Sequence, residues 1–381
     1  MLYLDNAATT PVRPEVLEAM MPFLTRWYGN PSSHHTVGEA AAGALADARA
    51  RVARILGMRA GDIVFTSGGT EANNLAVKGI AIAAHARRGA SHVITSAIEH
   101  ESILESVDYL ARIHGFSVSR LPVDGDARID PGDVAAALRE DTALVSVGYA
   151  NNEVGTVQDV AAIAAAAHAR GVPVHIDAVQ AAGWLPLDAA ALGVDAISLA
   201  GHKLGAPKGM GLLAVRGRIP IEPVLHGGGQ ERGRRSGTEN VAGAVGLATA
   251  LELAEADRAA SALRVSGVRD AFIGGVLAGV TTATLTGDRV HRLPGTASFT
   301  FARTSGEAVL LELERRGVVS SSGSACAAGS DEPSHVLVAM GIPAELAQTA
   351  VRFTFGHDTR VDPGELTRAV QASVAAVQSG A

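Results

Sequence analysis

The chain of 381 residues holds one cysteine, Cys326, and only three lysines among its 32 Lys and Arg residues: Lys78, Lys203 and Lys208. A single cysteine excludes an intramolecular disulfide and leaves no second thiol to resolve an oxidised one, which suits a reducing cytoplasm. No run of about 18 apolar residues occurs, which argues against a membrane span. The alanine tract from Ala161 to Ala167 is bounded by Asp159 and by His168-Ala-Arg170, as in a soluble helix. The start, MLYLDNAATTP, lacks the basic and apolar regions of a signal peptide, so none is expected. The formal charge is −7, and no basic cluster is larger than Arg232-Gly-Arg234-Arg235. Direct binding of nucleic acid is therefore not expected either.

What the chain does have is a strand-and-helix alternation on a scale that buries a large core. Leu2-Tyr-Leu4 reads as a short strand, followed by the polar turn Asp5 to Pro11. Turn formers at Asn30-Pro-Ser-Ser-His-His35 precede a helix from about Gly38 to Leu56. Strands are expected at Ile63–Phe65, His92–Thr95, Ser117–Ser119, Ala143–Val147, Val172–Ile176, Ile197–Leu199 and Leu212–Val215. Helices are expected from Glu71 onward, up to His114, and from Val160 to Arg170. This order predicts an α/β fold with a mostly parallel sheet, helices on both faces, and ligand groups at the strand ends. After a long helix from about Val241 to Val276 the pattern changes. A strand at Thr296–Phe301, a helix near Gly306–Arg316, the small-residue loop Ser320–Ser330 and a strand at Val351–Phe355 read as a smaller α+β unit.

Chemistry-bearing residues recur where strands end. Lys203 follows the apolar run Ala196–Ala200 and is fenced by glycines. In a chain that otherwise uses arginine for positive charge, a lysine there points to a task that arginine cannot perform, a Schiff base, which needs an amine able to lose its proton. Ser67-Gly-Gly-Thr70 lies between a strand and a helix, where free amides and the Thr70 hydroxyl can hold a phosphate. Many ordinary strand-to-helix turns have the same look, and the loop lacks the Gly-Lys-Ser/Thr of a nucleotide-binding loop. Asp177 ends the run Val174-His-Ile-Asp177 and, if buried, needs a cationic partner. A protonated pyridine nitrogen would serve; capping the next helix is the competing use. His100 could stack on a flat cofactor and exchange protons near neutral pH, or be a satisfied loop residue. The other histidines show no HExxH spacing and no convincing zinc set. Phosphate loop, stacking histidine, ring-nitrogen acid and Schiff-base lysine, in that order, are what holding pyridoxal phosphate requires.

The chain resembles the group I, NifS/IscS-type cysteine desulfurases of the class V aminotransferase family. The resemblance is carried by Leu4-Asp-Asn-Ala-Ala-Thr-Thr-Pro11, Gly29-Asn-Pro-Ser-Ser33, Phe65-Thr-Ser-Gly-Gly-Thr-Glu71, Glu99-His100, Asn151-Asn-Glu-Val-Gly155, His175-Ile-Asp-Ala-Val-Gln180, Gly201-His-Lys203, His226-Gly-Gly-Gly-Gln-Glu-Arg232, Arg235-Ser-Gly-Thr238, Ser321-Ser-Gly-Ser-Ala-Cys326 and Val351-Arg-Phe353. These run through nearly the whole chain and are specific as a set.

The resemblance implies the fold of a PLP-dependent transferase of fold type I, with a seven-stranded large domain over residues 15–257. A small domain of 1–14 and 258–381 would carry a mobile catalytic loop at about 320–332. It implies pyridoxal 5′-phosphate as cofactor, tethered by Lys203, stacked under His100, paired by Asp177 and hydrogen-bonded by Gln180. Thr70, the Gly69 backbone and His202 would bind the phosphate, with Thr238 contributed across a homodimer with shared sites. Ala200 departs from the family, where serine is common and adds a phosphate hydrogen bond. Asn152 and Arg352 would hold the carboxylate of L-cysteine, and Lys203 and His100 would move protons. Cys326, which on its own reads as a small buried hydrophobe, sits among small residues that cannot build a core. The resemblance makes it the thiol that takes the substrate sulfur as a persulfide and passes it to an acceptor protein. The pathways this implies are iron–sulfur cluster assembly, tRNA thiolation or DNA phosphorothioation, with no direct contact to nucleic acid or membrane. The alternative is a class V aminotransferase or selenocysteine lyase without a sulfur relay.

Overall fold

The computed structural model describes residues 1–323 and 332–379. Strand β1 (Leu2–Tyr3) and helices α1 (Pro14–Thr25) and α2 (Thr36–Ile55) come first. The alternating part follows as β2 (Ile63–Thr66), α3 (Gly69–Arg88), β3 (His92–Ser96), α4 (Glu101–His114), β4 (Ser117–Leu121), α5 (Pro131–Ala137), β5 (Thr142–Gly148), α6 (Val160–His168), β6 (Val174–Asp177), β7 (Ala196–Ala200) and β8 (Gly211–Val215). Helix α7 (Val241–Gly279) leads to β9 (Ala283–Leu285), β10 (Thr296–Phe301), α8 (Gly306–Arg315), β11 (Val318–Val319), α9 (His335–Ala339), α10 (Ala344–Ala347), β12 (Ala350–Thr354) and α11 (Pro363–Ser379).

Seven strands form the main sheet in the order β2-β8-β7-β6-β5-β3-β4. Only β8 runs against its neighbours, so the sheet is mostly parallel, as the strand-and-helix alternation predicts. Helices cover both faces, so β7 and β8 are buried at every position and read as unbroken apolar runs. Val145, Ile176 and Ile197 pack on one side with residues of α2, α6 and α7. Val93, Leu144 and Leu213 pack on the other with residues of α3 and α4. From β3 the chain goes outward to β4 and then returns to the opposite side of β3 as β5. Loops leaving the carboxyl ends of β3 and β5 therefore diverge, and a crevice opens between them.

A separate apolar cluster lies around Phe272, which meets Phe299, Phe353 and Phe355 edge-on at ring separations of 5.9, 5.1 and 5.9 Å. It joins α7 and α11 to the antiparallel sheet β12-β10-β9 and takes in Leu4 from the N-terminus. β1 pairs in parallel with β11, so the first residues of the chain sit beside residues more than 300 positions away.

Several boundaries differ from the expectation for physical reasons. β6 starts at Val174 rather than Val172, because Pro173 has no amide and the Val172 amide caps α6 by donating to the Ala167 carbonyl at 3.1 Å. α3 begins at Gly69, two residues before Glu71, which places its first amides in the crevice rather than in solvent. Helices α5 and α11 were not anticipated. Both start on an Asp-Pro pair, with Asp130 accepting from the Gly132 amide at 2.7 Å and Asp362 from the Glu365 amide at 2.9 Å. Cys326 lies outside the described residues.

Candidate active site

A cavity of about 260 Å³ lies in that crevice. Gly69, Thr70, His100, Asn152, Asp177, Gln180, His202, Lys203 and Arg352 all line it, although they come from six separate segments of the chain.

Asp177 is the last residue of β6, level with Gly148 on β5 and Ser198 on β7. Its Oδ1 accepts from the Val179 amide at 2.9 Å, and its Oδ2 accepts from Asn73 Nδ2 at 2.7 Å. Among the described residues no Lys, Arg or His forms an ion pair with it, so the cationic partner that such a carboxylate needs is not a side chain seen here. Asn73 also donates to Ser102 Oγ at 2.9 Å. Ser102 in turn holds His100, its amide donating to Nδ1 at 3.0 Å, which puts the proton of the neutral ring on Nε2. One asparagine thus ties Asp177 to His100 through Ser102. Asn73 is 1% exposed. The signal for it was a polar residue on the buried face of an amphipathic helix, one turn past the glycines.

Glu99, just before His100, is buried and accepts from Ser96 Oγ at 2.5 Å. Burial pushes its carboxyl up to about 8, and the negative charge of Asp177 adds to the push. At neutral pH one of the two acids is thereby kept protonated. Gly148 separates them; a Cβ there would come within 3.1 Å of Glu99 Oε2.

Lys203 closes a short 3₁₀ turn after β7. Its Nζ donates to the carbonyls of Ala8 at 2.8 Å and of Ala7, and Gln180 Nε2 donates to the same Ala7 carbonyl at 3.1 Å. The polar turn at Asp5–Thr10 is therefore a wall of the cavity. It is anchored where Thr10 Oγ1 donates to the His202 carbonyl at 2.8 Å and where the Gly205 amide donates to Thr10 Oγ1 at 3.0 Å. His202 is pushed down to about 4, by burial first and then by the charges of Lys203 and Lys208. It is neutral at pH 7 and acts through hydrogen bonds.

The N-cap of α3 is Gly68, which has no side chain to satisfy the first-turn amides. At Gly69 a Cβ would meet Val179 Cγ2 at 2.9 Å, so only glycine lets the helix end approach β6 this closely. Thr238 is not part of this cavity. It is exposed and lines a smaller one of about 120 Å³ with Thr66, Ser67 and Arg235. Its loop is pinned by two ion pairs, Arg235 with Glu71 at 2.8 Å and a buried bidentate pair of Arg49 with Glu231 at 2.6 and 2.8 Å. The second pair holds Glu231 and Arg232 at φ of 49° and 58°, left-handed values that neither residue favours.

Arg352 reaches the cavity from β12 and is 1% exposed. Its Nη1 donates to the carbonyls of Asn152 at 2.8 Å and Gly323 at 3.1 Å, and its Nη2 donates to Asp5 Oδ1 at 2.8 Å.

A family model for Aminotransferase class-V matches residues 2–362. The chain belongs to the class-V aminotransferase family. Within it, the chain groups with cysteine desulfurases. A cysteine desulfurase IscS of Dictyoglomus turgidum is 45% identical over 362 residues, covering 95% of this chain and 91% of its own. Among solved structures, a NifS-like protein superposes with a TM-score of 0.88 at 35% identity, covering 99% of this chain and 98% of its own. SspA in complex with cysteine superposes with a TM-score of 0.81 at 35% identity, covering 93% and 99%.

The cofactor of this family is pyridoxal 5′-phosphate, and the residues present fit it. The cavity has an acid with no cationic side-chain partner among the described residues, an uncapped helix end for a phosphate, a lysine amine and a flat imidazole.

Proposed function

We propose that this chain is a cysteine desulfurase in which L-cysteine and Cys326 react to give L-alanine and a Cys326 persulfide, and that each residue lining the cavity has the role set out below. The observation that carries the reading is the convergence of Lys203, Asp177, His100 and Arg352 on one cavity, from segments far apart in sequence.

When bound, pyridoxal phosphate supplies an electron sink that makes the Cα proton of the amino acid acidic and its C–S bond breakable. Asp177, held by Asn73, would keep the ring nitrogen protonated. His100 would lie against the ring, Gln180 would bond its hydroxyl, and Thr70, the amides of Gly69 and Thr70, and neutral His202 would hold the phosphate. The Ala200 methyl, which lines the same wall, offers no hydrogen bond there. Lys203 would tether the cofactor and move protons to and from the substrate carbon. Asn152 and Arg352 orient the substrate carboxylate. The Cys326 thiolate attacks the substrate sulfur; the S–S bond forms as the C–S bond breaks, and the carbon takes the electron pair and a proton. The persulfide then passes to an acceptor protein. The test is to incubate the PLP-loaded enzyme with L-cysteine. One L-alanine per sulfur delivered to a thiol acceptor supports the reading; pyruvate and ammonia, or transamination to a keto acid, would refute it.

We further propose a cytoplasmic homodimer with shared sites. Among the described residues, no helix is long and apolar enough to cross a membrane. α1 leaves Leu17, Met21 and Leu24 exposed at helical spacing, with Trp27 and Tyr28 beyond them. Thr238, which lies outside its own chain's cavity, would complete the partner's phosphate site. Thr238→Ala is then expected to weaken PLP binding about tenfold, the scale of one hydrogen bond to a charged group. Heterodimers pairing Thr238→Ala with Lys203→Ala contain one complete site and should regain tight binding at half the sites. Equilibrium dialysis showing no recovery would count against sharing. A division into residues 15–257 and the pair 1–14 with 258–381 agrees with the β1–β11 pairing and the cluster around Phe272; the second boundary falls inside α7.

A further inference from the structure

Arg352 is held so that one edge of its guanidinium is left to use. A guanidinium carries five N–H donors in a plane. Both hydrogens of Nη1 go to the carbonyls of Asn152 and Gly323, and one hydrogen of Nη2 goes to Asp5 Oδ1. Nε is buried and has no partner among the described residues. Asp5 reaches Nη2 through one oxygen and does not bond Nε. The donors that remain are Nε–H and one hydrogen of Nη2, and Nε–H lies on the edge of the guanidinium that it shares with Nη2. That edge matches the two oxygens of a single carboxylate.

We propose that Asp5 is the positioning residue for substrate recognition: by holding Nη2 it turns the Nε edge of Arg352 to the cavity, so that the site selects amino acids by their α-carboxylate. The proposal rests on the reading of Arg352 as the carboxylate-binding residue. Asp5 is itself fixed in place. Its backbone bridges to Thr354, two residues beyond Arg352 on β12, and its carbonyl accepts from Tyr3 Oη at 3.0 Å. The same Tyr3 hydroxyl bonds the Thr9 carbonyl at 3.0 Å, which ties Asp5 to the turn that walls the cavity. Without the Asp5 charge, Nη2 has at most a neutral acceptor, a contact about half as strong, and the plane turns more easily about its Nη1 contacts, so the fork loses its fixed direction.

The test compares L-alanine with ethylamine, the same amine with and without a carboxylate, on PLP-loaded enzyme. Binding is read from the change in the visible absorption of the cofactor. Asp5→Asn is expected to weaken L-alanine about tenfold, the scale of a charge-assisted contact, and ethylamine by under about twofold. Asp5→Glu should recover part of the loss. Equal weakening of both ligands in Asp5→Asn would make Asp5 a structural residue, and no weakening of either would make it irrelevant; each overturns the proposal. Arg352→Ala separates the underlying reading. If that variant still prefers L-alanine as the wild type does, Arg352 is not the carboxylate site; if it loses the preference while Asp5→Asn keeps it, only the role of Asp5 fails.

Discussion

Replacing Lys203 by alanine should abolish the visible absorbance of covalently held cofactor and lower turnover of L-cysteine by at least about 10³-fold, within the range that acid–base catalysis alone supplies. No other amine is placed to substitute. Lys78 donates to Asn74 Oδ1 at 2.6 Å and lies 4.4 Å from the centre of the Tyr109 ring, and Lys208 is exposed. Arg cannot replace it either, because a guanidinium does not give up its proton in the accessible pH range, so Lys203→Arg is expected to fail equally. PLP should still bind the alanine variant, only more weakly, since the contacts assigned to Thr70, His202, His100 and Asp177 do not depend on the amine. This separates loss of chemistry from loss of the site. Equilibrium dialysis should find retained, non-covalent PLP, and a small added primary amine should restore part of the proton transfer. A Lys203→Ala protein with the wild-type spectrum would remove Lys203 from the centre of this account.

Most of the site could be read in the sequence because polar residues at the tips of apolar strands stand out. Asp177 and Lys203 each follow an apolar run of strand length, and burial there needs a reason. The residues that support them were harder to see. Asn73 is one polar residue in a helix with several, and its burial depends on which face of α3 meets the sheet. Asp5 sits in a stretch that reads as a polar turn; that it contacts Arg352 follows only from β1 pairing with β11 and the chain bridging to β12 across some 350 positions. Glu99 was visible only as part of a family motif. Its carboxyl is raised first by burial and further by the closeness of Asp177, and both depend on β3, β5 and β6 ending at the same level. Thr238 illustrates the reverse. The resemblance assigns it to the phosphate site of the other subunit, and within its own chain it lies outside the cavity, so one chain's geometry does not display the assignment.

Cys326→Ser should separate the cofactor's chemistry from the outcome of the reaction. The variant is expected to bind PLP with the wild-type spectrum and to bind L-cysteine, since the residues assigned to those tasks are untouched. Persulfide should vanish, and L-alanine formation should fall by at least about 10²-fold, the lower part of the range lost when an activated nucleophile is removed. The chain has no second cysteine to take over. Serine is a poor substitute because its hydroxyl is not ionised at neutral pH, whereas a thiol is already a few per cent thiolate and intrinsically a strong nucleophile. The new bond also matters: attack by sulfur on the substrate sulfur makes an S–S bond that a later thiol can open by exchange, and oxygen makes nothing comparable. An aminotransferase or a lyase without a relay has no use for this thiol, so it predicts full turnover in the variant. Intact-mass measurement after one turnover, showing an added sulfur on the wild type and none on Cys326→Ser, would place the transfer on this residue. Unchanged L-alanine production by Cys326→Ser would instead reassign the protein to the lyase branch, with Lys203, Asp177 and Arg352 keeping their roles.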